Sequence, residues 1–183
     1  LGRDLLTRVL YGGRVSLIDW DGNKTWTYDY SDSLHCLHHD AIWLPNGHML
    51  AIAWELKTRG EAIAAGRDTA KLTDGKLWPD HIIEVDPATD SIVWEWHVWD
   101  HLVQDYDATK GNYGVVGDHP ELVDVNFEDR ASAIAADWIH ANALDYNFEY
   151  DQIMLSAREF DEVWVIDHST TTAEAASHTG GRQ

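Results

Sequence analysis

The chain is predicted to be all-β, a part of a β-propeller built from antiparallel four-stranded blades. Three observations carry that expectation. Short alternating apolar runs are separated by turn signals along most of its 183 residues. A weak internal repeat recurs three times. Ten tryptophans supply the large flat side chains that pack between sheets.

The strands are read in order. RVSLI at 14–18 alternates, and Asp19-Trp20-Asp21-Gly22-Asn23 turns the chain into KTWTYDY at 24–30, rich in Thr and aromatics. A strand at 39–44 ends in Pro45-Asn46-Gly47, and Asn-Gly between apolar runs marks a hairpin into His48–Trp54. Residues 56–79 break the rhythm and read as a surface excursion with a helical turn. Strands resume at His81–Val85 and Ser91–Trp96, around the turn Asp86–Asp90. A second excursion follows at 98–130. Then come a hairpin of 138–144 with 152–157 and a last strand at 162–166. The Ser-, Thr- and Gly-rich tail from about 169 reads as flexible loop.

The repeat lies in VSLIDWDGNKTWTYDY, HIIEVDPATDSIVWEWH and EVWVIDHST. Each has an apolar strand, an Asp (Asp19, Asp86, Asp167) and a polar turn, and in the first two an aromatic strand follows. With the excursions removed, the period approaches the roughly 40–50 residues of a propeller blade. Residues 1–183 then make about two to two and a half blades, short of the roughly four to eight that close a ring. The remaining blades are expected on another chain or fragment, since open sheet edges invite pairing. An oligomer is compatible with this, and a free-standing sheet sandwich is the structural alternative.

Charge narrows the function. Thirteen Lys and Arg stand against 32 Asp and Glu, a formal charge of −19. A nucleic-acid partner needs a basic footprint that is missing here. An anionic substrate would be repelled by the global field, so local His and Arg would have to hold it. No apolar run has the length of a membrane span. The single cysteine, Cys36, permits no intrachain disulfide and reads as a small buried hydrophobe. Zinc spacings, a calcium loop, a phosphate loop, a Rossmann fingerprint and a nucleophile elbow are all missing from the pattern. No metal and no cofactor are expected. His97, His101 and His119 are scattered among acidic residues of the second excursion, which is expected to cover a channel mouth or meet another subunit.

One constellation suits an oxyanion. In a strand, His140 and Asn142 share a face, and the hairpin around Glu149-Tyr150-Asp151 returns Arg158 towards them. Arginine offers a planar fork of donors, and histidine a proton near neutral pH. In Leu37-His38-His39-Asp40, alternation puts the two histidines on opposite faces. His39 is favoured for the pocket, because it holds the place in its hairpin that His140 holds in the next. His38 then packs or meets Asp40.

HHDAIWLPNGHMLAIAWE, DHIIEVDPATDSIVWEWHVWDHL and DWIHANALDYNFEYDQIMLSAREFDEVWVIDH, which cover much of 38–168, resemble the arylsulfotransferase family of bacterial enzymes. The resemblance implies a six-bladed propeller with its site in the central channel. It implies transfer of a sulfuryl group from a phenolic sulfate ester to a phenol, through a transiently sulfated histidine. It makes His140, Arg158 and His39 the catalytic candidates, with Asn142 and His38 as substrate-binding ones. The sulfated histidine would belong to a later blade, and neither His168 nor His178 matches it. The family habit implies a periplasmic or secreted location. A non-catalytic propeller for protein–protein or envelope assembly is the competing reading. It expects a closed channel, a buried surface formed by residues 98–130, and no histidine opposite Arg158.

Overall fold

The computed structural model describes residues 12–127 and 136–177. Strands β1 (Arg14–Ile18) and β2 (Lys24–Asp29) form a hairpin. Strands β3 (His35–Trp43) and β4 (Met49–Glu55) follow. A short antiparallel pair, β5 (Lys57–Thr58) and β6 (Lys76–Leu77), brackets helix α1 (Arg59–Ala64). With β7 (Asp80–Asp86) and β8 (Ser91–His97), β3 and β4 complete a four-stranded antiparallel meander ordered β3-β4-β7-β8. A parallel pair, β9 (Leu102–Val103) and β10 (Val123–Asp124), lies in the second excursion. Strands β11 (Ala141–Asn147), β12 (Gln152–Ala157) and β13 (Glu162–Asp167) make a three-stranded meander. This is the antiparallel sheet construction of a propeller-like protein.

The middle sheet is buried on both faces. Period-2 alternation sends Met49, Ala51 and Ala53 of β4 to one core with Val15, Tyr28, Leu37, Ile83 and Val85. Leu50 and Ile52 go to the other core with Ile82, Ile139, Leu144, Ile153 and Leu155. That is why MLAIAW is a continuous apolar run rather than an alternating one. On the third sheet, Met154, Val163 and Val165 remain exposed.

The repeated aspartates are turn builders. Asp19 Oδ1 accepts the amides of Asp21 and Asn23 (3.0 and 2.8 Å). Asp86 Oδ1 accepts that of Ala88 (2.8 Å), and Asp167 Oδ1 that of Ser169 (2.9 Å). A carboxylate that satisfies turn amides can recur without any part in chemistry.

The excursions are less superficial than their composition suggests. Arg67 is 2% exposed and its guanidinium donates to the Val125 carbonyl. Asn126 accepts the Asp68 amide (2.7 Å) and donates to the Gly66 carbonyl (3.0 Å). The two excursions therefore dock on one another, and the second finds its packing partner within the chain. Residues 128–130 of it lie outside the described residues. Past Asp167, where the sequence suggests flexible loop, Thr172–Ala175 form helix α2. Thr171 and Glu174 cap it reciprocally, and Ala175 is buried. Cys36 is half-buried rather than enclosed.

Candidate functional site

Two histidines have left-handed backbone, His39 with φ of 56° and His140 with φ of 53°. Non-glycine residues seldom adopt this, and such strain gathers at functional sites. His39 lies in an interruption of the β3–β4 ladder between Leu37 and Ala41. His140 precedes β11, whose ladder is interrupted between Ala141 and Ala143. Strand β11 packs on β3 and β4, and the Asp40 carboxylate ties the two sheets by accepting the Leu144 amide (2.9 Å). The imidazoles of His39 and His140 consequently meet edge to face, with centroids 4.6 Å apart.

Arg158 joins them. Ala141 pairs with Ala157, and the Glu159 amide bonds the Ile139 carbonyl (3.0 Å). Arg158 therefore stands across from His140. Its guanidinium is about half exposed and pairs with Glu159 (3.2 Å). Burial, together with the charges of His38, His140 and Arg158, pulls the His39 pKa down.

The interruption in β3 corrects the opposite-face expectation for His38 and His39. Their Nδ1 atoms lie 3.0 Å apart. His38 is fully buried, stacks on Trp54 at 3.9 Å, and places Nε2 at 2.7 Å from Asp80 Oδ1. It is an internal residue, remote from any direct contact with solvent. The same-face argument for His140 and Asn142 also fails, because His140 lies outside the strand and Asn142 sits at the ladder irregularity. Asn142 is exposed there.

Three further residues escaped the sequence reading. Asp137 Oδ2 accepts from His140 Nδ1, and its Oδ1 accepts from the Trp54 indole (3.0 Å). Asp80 is fully buried, with Oδ2 accepting the Ala141 amide (3.2 Å). Burial holds Asp137 above the usual carboxylate range and takes Asp80 up to about 8. The signals were faint: an Asp three residues before His140, and a lone Asp opening the apolar run DHIIEV.

The remaining histidines are engaged elsewhere. His168 bridges Asp151 (2.7 Å) and Glu84 (2.9 Å), tying the third sheet to the second. His97 sits between Glu55 and Glu95 (3.2 Å each). His101 bonds the Ala175 carbonyl (2.8 Å), and His119 pairs with Glu121 (3.0 Å). His178 lies outside the described residues. Among the described residues, no three His, Cys, Asp or Glu side chains are arranged to hold a metal ion, and no helix is long and apolar enough to cross a membrane.

Successive antiparallel meanders, with His39 and His140 meeting beside the first strands of two of them, are consistent with a propeller-like protein. Residues 7–174 match the family described as Arylsulfotransferase (ASST), and the chain belongs to that family. The membership supports sulfotransferase-type activity in general. No curated protein matches the chain.

Proposed function

We propose that the protein transfers a sulfuryl group from a phenolic sulfate ester to a phenol, and that His39, His140 and Arg158 line the transfer site. The observation that supports this most is the meeting of the His39 and His140 rings between β3 and β11, with the Arg158 charge felt at His39. In a protein of charge −19, such a spot is where an anionic ester can be held.

In the first half-reaction, a histidine nitrogen outside this sequence attacks sulfur. The N–S bond forms, the S–O bond breaks, and phenolate leaves. Arg158 and His140 stabilise charge growing on the non-bridging oxygens, with Asn142 a further donor from the exposed side of β11. Asp137 accepts from His140 Nδ1–H, and a His140 protonated on both nitrogens then donates to the ester oxygens from Nε2–H. His39 supplies the proton that the phenolate takes up. In the second half-reaction the acceptor phenol gives up its proton, its oxygen attacks sulfur, and the histidine is regenerated.

The exposed apolar face of Met154, Val163 and Val165 supports further blades beyond the third sheet. The competing reading, a non-catalytic assembly module, expects no histidine opposite Arg158, whereas His140 stands there. Mass spectrometry of protein quenched during turnover of a phenyl sulfate ester tests the proposal. A sulfuryl adduct on a histidine is expected. Phenol release with no adduct at any quench time would sink the two-step scheme.

A further inference from the structure

We propose that Asp80, His38 and His39 form a buried proton relay, with Asp80 as the reservoir for the proton that the leaving phenolate takes up. The inference rests on the transfer reading above and adds two residues to it. Three facts of geometry carry it. His38 Nε2 stands 2.7 Å from Asp80 Oδ1. The other ring nitrogen of His38 stands 3.0 Å from His39 Nδ1. His38 Nε2 and Asp80 Oδ1 are both buried, and neither has an aligned hydrogen-bond partner among the described residues, the other included.

Two lone pairs cannot face each other at such distances, so each contact holds a proton. With every imidazole neutral, the protons can be arranged in two concerted ways. In the first, the Asp80 carboxyl donates to His38 Nε2, His38 Nδ1–H donates to His39 Nδ1, and His39 carries its proton on Nε2. In the second, Asp80 is a carboxylate that accepts from His38 Nε2–H. His38 Nδ1 then accepts from His39 Nδ1–H, and His39 Nε2 bears a lone pair. Passing from the first to the second releases one proton from His39 Nε2 to the phenolate oxygen, and Asp80 is one proton poorer. The acceptor phenol restores it in the other half-reaction. No ring has to flip, and no other co-reactant is needed.

The surroundings suit the first arrangement at rest. Burial takes the Asp80 pKa up to about 8 and that of His38 down to about 3. At neutral pH the pair holds a carboxyl proton beside a neutral imidazole. Asp137, His140 and Arg158 face this group from the neighbouring sheet. The Ala141 amide on Oδ2 keeps Oδ1 turned to His38 (3.2 Å). The 2.7 Å approach is too bent for a hydrogen bond as it stands, and the relay requires the His38 ring to tilt along its stacking surface on Trp54.

The test is Asp80→Asn, which keeps the shape and a donor for His38 but holds no transferable proton. Two donors are compared, phenyl sulfate and 4-nitrophenyl sulfate, whose leaving groups differ in their need for a proton. The variant is expected to slow transfer from phenyl sulfate by about 10²-fold and from 4-nitrophenyl sulfate by less than about 3-fold. Equal losses for both esters, or no loss for either, overturn the relay. Infrared spectroscopy at neutral pH gives a second reading: a protonated-carboxyl stretch in wild type that Asp80→Asn removes. Absence of that band overturns the proposal whatever the activity. A wild-type protein inactive towards both esters but showing the band retires the transfer reading and the relay's role in it, while the shared proton stands.

Discussion

His140 shows how one backbone angle sets a site. Its left-handed conformation turns the imidazole away from the period-2 path and against His39, while Asp137, itself bonded by the Trp54 indole, accepts its Nδ1–H. Asp137→Asn removes the carboxylate that supports a positively charged His140, leaving at most a neutral ring to face the ester oxygens. A fall in kcat of about 10²- to 10⁴-fold is expected, with an altered pH profile and an unchanged unfolding midpoint. An equal loss of stability and activity would make Asp137 merely structural. At this scale the sequence was half legible. His39, His140 and Arg158 could be found because each ends or begins a hairpin strand. Asp80 and Asp137, and the inward contacts of His38, could not, because they depend on ladder irregularities and on a neighbouring sheet, neither of which alternation records.

Among the elements, the strands that turn residues bound were readable to within a residue or two. Lys24–Asp29 and Gln152–Ala157 are examples. The expected strand 138–144 is found three residues later, at Ala141–Asn147. Asp145-Tyr146-Asn147 has turn composition, yet Asp145 pairs with Met154 and Asn147 with Gln152. Cross-strand pairing overrode local preference. The first excursion, expected at the surface, sends Ala62, Leu72 and Leu77 into the core, and Arg67, Gln104 and Asn126 bind main-chain groups in the two excursions. Gly66 is the tight point. Its φ is +96°, and a Cβ would stand 2.4 Å from the Gln104 side chain. Gly66→Ala is expected to cost about 1–3 kcal/mol in denaturant unfolding. A neutral substitution would show that the excursions are not docked as described.

Across the whole molecule, pH dependence follows from the buried His97–Glu55 pair, which joins β8 to β4. Burial opposes the charge on each partner, yet the hydrogen bonds prevail. Those from Glu55 and Glu95 raise His97 from its ordinary 6.5 to about 9. Those from His97 and Lys57 lower Glu55 from 4.5 to about 2. A raised histidine stabilises fully below pH 6.5, and that contribution is lost as pH rises through about 9. A depressed carboxylate stabilises fully above pH 4.5, and its contribution is lost as pH falls through about 2. Unfolding midpoints measured across pH should therefore plateau between these limits. His97→Gln should flatten the alkaline fall; an unchanged alkaline limb would assign it to other groups.

The account as a whole stands on Arg158, His140 and His39 acting on one sulfuryl group. The most direct measurement is the steady-state rate of transfer from a phenyl sulfate ester to a phenol, by wild type and by Arg158→Ala. Wild type is predicted to transfer, and the variant to lose about 10²- to 10³-fold in kcat, with the same unfolding midpoint. A variant as active as wild type would contradict the placement of the transfer site between β3 and β11.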